Sequence, residues 1–136
     1  MSQAFVLNGP SRFAPIVGRI LIAAIFLLSG ITKITAAAAT KGYIASVGLP
    51  FPDLAYLVAV LVEIGGGVLL LVGYQTRIVA LGLGLFTLAT AFGFHNNFAD
   101  QNQMIHFLKN LAITGGLLQV AAFGAGHYAV DTRKKA

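Results

Sequence analysis

The chain has 136 residues, 57% of them hydrophobic and only 10% charged, with nine Lys and Arg against four Asp and Glu for a net charge of +5. That apolar share exceeds the roughly 45–50% of soluble domains, so the chain reads as an integral membrane protein with no room for a separate soluble domain. Zero Cys excludes disulfides, thiolate metal sites, iron–sulfur ligation and thiol nucleophiles from this chain, while basic residues scattered over loops and termini form no groove for nucleic acid and find membrane lipids as partners instead.

Four apolar stretches of about 20 residues, the length a helix needs to cross a bilayer, predict an all-α membrane protein. The expected architecture is a four-transmembrane-helix bundle in one domain over residues 1–136. The first span covers about 13–31. Arg12 ahead of it and the run Ala36-Ala37-Ala38-Ala39 behind it imitate a secretory signal, but the apolar run is too long for one, Arg19 interrupts it and three more spans follow. Arg19 reads as snorkelling to one interface and Lys33, just past the span, to the other. An amphiphilic connection with Lys41 and Tyr43 leads through Gly48-Leu49-Pro50-Phe51-Pro52 to Asp53, read as the cap of the second span, about 54–73.

Within that second span Glu63 is the one charge. A carboxylate there costs a few kcal/mol unless it is paired or faces a polar cavity. It lies ten residues from Asp53, about 15 Å at ~1.5 Å per residue, which is the bilayer midplane. Tyr74-Gln75-Thr76-Arg77 can only be a tight turn, and the third span follows at about 78–94. A polar connection from His95 to Gln103 precedes the fourth span, about 104–123, and the tail Asp131-Thr132-Arg133-Lys134-Lys135 is expected to stay in water. Lys109, the one charge in the fourth span, is the expected partner of Glu63.

Lys109 shares a helix face with His106 and Asn110 by i, i+3 and i+4 spacing, Ser29 and Lys33 are likewise four apart, and His95 closes the third span at the same end. The constellation Glu63, Lys109, Asn110, His106, His95 and Lys33 therefore predicts a ligand-binding pocket in one half of the bundle, with the other half filled by Leu, Val, Ala and Gly. Two helix-borne histidines could ligate haem or copper, yet histidines at span ends are usually interfacial or hydrogen-bonded, so no metal site and no haem through His95 and His106 is expected. Asn110 and Thr114 read as interhelical hydrogen-bond glue and Gly65-Gly66-Gly67 as a place of close helix approach.

Arg12, Arg19, Arg77, Arg133, Lys134 and Lys135 flank one side of the spans, against Lys33, Lys41 and Lys109 on the other. This bias predicts a multi-pass protein of the inner (plasma) membrane with both termini cytoplasmic. A faint repeat is also legible. Gly18-Arg19-Ile20 matches Thr76-Arg77-Ile78, and Ile64-Gly65-Gly66-Gly67-Val68-Leu69 matches Ile113-Thr114-Gly115-Gly116-Leu117-Leu118. Two helical hairpins in parallel repeat would produce it.

Phe26-Leu27-Leu28-Ser29-Gly30-Ile31-Thr32-Lys33, the run from Glu63-Ile64-Gly65-Gly66-Gly67 to Gly73-Tyr74-Gln75-Thr76-Arg77, and Lys109-Asn110-Leu111-Ala112-Ile113-Thr114-Gly115-Gly116 together resemble the DoxX family of small bacterial and archaeal membrane proteins. The resemblance covers nearly the whole chain, including Gly124-Ala125-Gly126, where the family more often has Gly-Pro-Gly. It implies a four-helix membrane bundle with a loose link to redox metabolism: one relative is a subunit of a thiosulfate:quinone oxidoreductase, and others associate with thiol-oxidation and oxidative-stress proteins. Lys33, Glu63, Arg77, Lys109 and Asn110 are the family positions carried here, none of them as a catalytic residue.

Three functions compete. A quinone-linked redox subunit needs an apolar slot and one or two polar groups for the quinone carbonyls, and Lys109, His106 and Asn110 are the expected donors. Without Cys it cannot complete an electron path alone, so it requires a redox partner protein. The alternatives are a non-catalytic scaffold or assembly factor, and a small transporter or lipid-binding protein enlarged as a homo-oligomer.

Overall fold

The computed structural model describes residues 7–135, all helical or loop, with no strand among them. Five α-helices follow in order: α1 (Ala14–Thr35), α2 (Ala37–Ser46), α3 (Pro52–Val72), α4 (Thr76–Phe94) and α5 (Gln101–Phe123). Short 3-10 turns, Gly9–Phe13 and Val130–Lys135, precede and follow them. The four long helices match the four expected spans. α2 lies inside what the sequence presents as a connection; its ten residues lack any marked apolar stripe, and it is held by packing on α3 and by the buried Ile44.

Local chemistry sets the boundaries. Pro15 and Pro52 sit in the first turns of α1 and α3, where a missing N–H costs nothing. Asp53 lies inside the first turn of α3 rather than at its cap, which is Phe51; there its charge complements the helix dipole. α3 stops at Gly73, whose φ of 74° is left-handed, and Tyr74 N–H returns to Leu69 O at 3.0 Å, closing a Schellman-type end. α5 starts from a true cap, Asp100, whose carboxylate accepts from Asn102 N at 2.9 Å.

The helices pair chiefly as α1 with α3 and α4 with α5. Glycines permit the contact. A Cβ on Gly67 would stand 2.9 Å from Leu27 Cδ2 on α1, and one on Gly66 2.7 Å from Leu83 Cδ2 on α4. Two of the three consecutive glycines thus work as the sequence implied; Gly65 faces open space.

Large apolar side chains such as Leu21, Leu61, Ile78 and Leu85 point outward and are well exposed, the arrangement lipid demands and water penalises. α1 with its preceding turn, α3 and α4 are long and apolar enough to cross a membrane. α5 has 23 residues, about 35 Å at ~1.5 Å per residue, but Gln101, Asn102, Gln103, His106, Lys109 and Asn110 dilute its first half.

The interior is divided lengthwise. The apolar core of Ala23, Phe26, Leu70, Ala80, Leu83 and Leu117 fills the half nearest the two termini. The opposite half, hereafter the far half, is hollow.

Candidate functional site

The far half begins with Glu63 on α3, 5% exposed and at mid-helix. Its partner is Lys33, not Lys109: Lys33 Nζ donates to Glu63 Oε1 at 2.9 Å and to Ser29 Oγ at 2.9 Å, and Ser29 Oγ lies 3.3 Å from the same carboxylate oxygen. Glu63 Oε2 is buried with no hydrogen-bond partner among the described residues. Tyr56 donates its phenol to the Lys33 carbonyl at 3.1 Å and steadies the end of α1.

Side-chain direction explains the exchange of partner. Helical side chains tilt toward the helix N-terminus. Lys33 lies in the last turn of α1, so its stem tilts back into the bundle, whereas Glu63 on the antiparallel α3 tilts outward to meet it. Lys109 on α5, which runs with α3, tilts toward the far end instead. It is exposed there. Lys33 therefore does not snorkel, and depth alone misassigned the pair.

A cavity of about 500 Å³ opens beside this ion pair. Lys33, Glu63, Asn110 and His95 line it, together with Thr87 and Thr90 of α4 and an apolar remainder that includes Phe26, Val58, Phe86 and Ile113. A groove of about 590 Å³ on the outside of α1 and α2 shares Ile25, Ser29, Lys33, Thr40 and Tyr43 with the cavity, so the cavity opens sideways between those helices, toward lipid. Tyr43 on α2 stacks on Phe94 with centroids 5.6 Å apart and donates to the Phe94 carbonyl at 3.3 Å, bracing α2 across the mouth.

Asn110 Nδ2 donates to Thr87 O at 3.4 Å and Thr90 Oγ1 at 3.3 Å, joining α5 to α4 in the expected role of interhelical glue. His106 is exposed and stacks on His95 with centroids 5.1 Å apart, while His95 Nδ1 sits 3.0 Å from Gln103 Oε1. Of the six expected site residues, four line the cavity, His106 backs one of them from outside, and Lys109 stands apart. Thr87 and Thr90, spaced i, i+3 on an apolar helix, are wall residues that the sequence displayed without drawing notice.

The near half holds a second polar cluster, where the sequence promised only apolar filling. Arg19 is 1% exposed. Rather than snorkel, it donates to Leu70 O (2.9 Å), Leu71 O (3.0 Å), Ala125 O (3.0 Å) and Tyr128 O, clasping the last turn of α3 to the segment after α5. Asp131 docks as well: its carboxylate accepts from Gln75 N at 2.7 Å and Thr76 N at 2.8 Å, capping α4, and its own N–H donates to Gly73 O at 2.9 Å. Partial desolvation raises the Asp131 pKa, but the adjacent Thr76 hydroxyl, the Thr76 and Gln75 amides and the Arg19 charge outweigh it and hold the carboxyl below its ordinary value. The Thr76 hydroxyl is buried with no hydrogen-bond partner among the described residues. Asp131 thus ties the start of the tail to the α3–α4 turn, while Asp131, Thr132 and Arg133 stay exposed as the sequence led one to expect.

Comparison with known proteins fits this construction. The DoxX family profile matches residues 14–96, well over half of the chain. The chain belongs to the DoxX family. The matched stretch spans α1 to α4 and so contains Lys33, Glu63, Arg77 and His95, but it stops short of Asn110 and Lys109 on α5. Inner membrane protein YqjF of Escherichia coli is 42% identical over 116 residues, covering 85% of this chain and 88% of the relative. Inner membrane protein YphA of the same bacterium is 34% identical over 123 residues, covering 87% and 88%. The ER-derived vesicles protein ERV29 of Saccharomyces cerevisiae is 35% identical over 81 residues, 56% of this chain but 26% of that protein. No solved structure matches the chain. With these relatives and its apolar helices, this DoxX protein is a multi-pass membrane protein.

Proposed function

We propose that this DoxX protein binds a quinone in the far half of its bundle and serves as the membrane subunit of an oxidoreductase. The observation that carries the reading is the cavity itself: about 500 Å³, mostly apolar, open sideways to lipid, with one ammonium and one carboxylate at its wall. An apolar ring and tail suit the lining and the groove, and the ammonium suits a carbonyl on which negative charge develops during reduction. Lys33 takes the donor role that the sequence offered to Lys109; Asn110, His95, Thr87 and Thr90 are further polar groups within the wall. With zero Cys the chain supplies no thiol relay, so electrons come from a redox partner protein. The Lys/Arg bias supports an inner-membrane orientation with cytoplasmic termini and the far end outside. A single Cys at Asn97 should then react with an impermeant thiol reagent in intact cells, and protection there with labelling at Gln75 would reverse the orientation.

The test is purification in mild detergent, mass spectrometry of extracted lipids, and thermal stability with added ubiquinone-1. Wild type should carry quinone or gain stability from it, and Lys33→Met should lose the effect while remaining folded. Wild-type protein that neither carries quinone nor responds to quinone or quinol, with its native partner present, refutes the reading in favour of a non-catalytic scaffold.

A further inference from the structure

The ion pair at the cavity wall is incompletely hydrogen-bonded on both sides, and the two gaps are complementary. An ammonium has three N–H donors. Lys33 commits two, to Ser29 Oγ and Glu63 Oε1, each at 2.9 Å, and its side chain is a quarter exposed where cavity and groove meet. Glu63 Oε2, an atom that can only accept, has no donor among the described residues. Glu63 itself lines the cavity. The terminal torsion of a glutamate is broad and roughly two-fold, so a small turn presents Oε2 to the cavity while the other oxygen keeps Lys33.

We infer that the group seated against this pair is a hydroxyl, so that the cavity holds the reduced, hydroxyl-bearing quinol in preference to the quinone. The inference rests on the quinone reading above. A hydroxyl oxygen accepts the third Lys33 N–H while its proton goes to Glu63 Oε2, completing both residues with one ligand atom. A quinone carbonyl accepts from Lys33 but has nothing to donate, and Oε2 stays unpaired in an apolar wall, the costly case for a buried acceptor. Among the described residues Glu63 Oε2 is the one carboxylate oxygen of the cavity wall without a donor, and it belongs to the residue that already holds Lys33.

Three probes of nearly equal size separate the claims: ubiquinol-1 kept reduced under argon, ubiquinone-1, and the dimethyl ether of ubiquinol-1, which is redox-inert and has lost its donors. Affinities for the purified full-length protein are measured by equilibrium dialysis. Ubiquinol-1 should bind about tenfold more tightly than ubiquinone-1, the scale of one hydrogen bond to a charged group, and the dimethyl ether should fall to the quinone level or below. Glu63→Gln, which replaces the acceptor by an N–H donor, should abolish or reverse the preference. Equal or tighter binding of ubiquinone-1 by wild type overturns the inference and leaves the quinone reading standing, as does a dimethyl ether that binds as well as the quinol. If none of the three binds, the reading and the inference fall together. The wild-type ratio alone decides the matter should the Glu63→Gln variant not fold.

Discussion

Lys33 and Glu63 differ in burial, and that difference predicts an asymmetric double-mutant cycle. Lys33→Met leaves a carboxylate that is 5% exposed with, among the described residues, only the Ser29 hydroxyl at 3.3 Å as a donor. Breaking a buried pair from one side costs about 3–5 kcal/mol in soluble interiors, and the adjoining cavity places the expected loss at the low end, ~3 kcal/mol. Glu63→Leu leaves an ammonium that is already a quarter exposed and one turn from the end of α1, so its stem can carry the charge out of the bundle. That loss should be roughly 1–2 kcal/mol, the hydrogen bond alone. The double variant should be milder than Lys33→Met, with a coupling of about 1 kcal/mol or more. Lys109→Met, at an exposed site, should stay within about 0.5 kcal/mol of wild type. Titration with sodium dodecyl sulfate in mixed micelles, followed by circular dichroism, measures all four. Additive effects of the two substitutions, or a Lys109 variant as damaged as the Lys33 variant, would refute the assignment of the pair.

Two predictions concern the near half. Arg19→Leu removes the donor from four carbonyls on two segments and should cost about 3 kcal/mol or more in the same titration, with Arg19→Lys intermediate because three donors on a point charge cannot span the four acceptors; a loss under about 0.5 kcal/mol would show that the clasp is idle. Asp131, whose folded pKa is depressed, contributes its cap above the unfolded value of about 3.9 and loses it as pH falls through the lower folded value. Asp131→Asn should accordingly weaken, at pH 7, the hydrogen-exchange protection of the Gln75 and Thr76 amides, and unchanged protection would dismiss the cap.

Hydropathy placed the four long helices because a bilayer imposes a length and a solvent on each, and the turn at Gly73 to Thr76 left no alternative. It failed at α2, where no amphipathic stripe announces a helix that exists by leaning on α3. The site was half legible. Glu63 is conspicuous because a lone charge in an apolar run must have a partner, but sequence distance fixes only the depth of a Cα, and the choice between Lys33 and Lys109 turns on the direction in which a helix tilts its side chains. Arg19 was read as snorkelling, and its burial was missed, for another reason. Its partners are main-chain carbonyls, which every residue carries, so no acidic residue elsewhere in the sequence signals its burial. Asp131 was hidden likewise, since a cap that arrives from 55 residues away leaves no local signature.

The repeat bears on whether the Lys33–Glu63 pair exists for architecture or for a ligand. Arg19 and Arg77 occupy matching places in the two hairpins and perform the same task, Arg19 donating to Leu70 and Leu71 in the last turn of α3 and Arg77 to Ala122, at 3.0 Å, in the last turn of α5. Each hairpin is closed at the near end by an arginine from its first helix on carbonyls of its second. The same alignment carried along the helices sets Ser29 against Thr87, both hydroxyl-bearing, but Lys33 against Ala91 and Glu63 against Ala112. In the second hairpin the aligned positions are alanine; Ala91 is fully buried but Ala112 is exposed, so only the Lys33 position has an inward counterpart, and α4 and α5 are joined inside instead by Asn110 on Thr87 and Thr90. A hairpin of this design therefore closes without a charged pair. The charged pair of the first hairpin lies where the two hairpins part and leave the cavity between them, the placement on which the ligand reading proposed above rests.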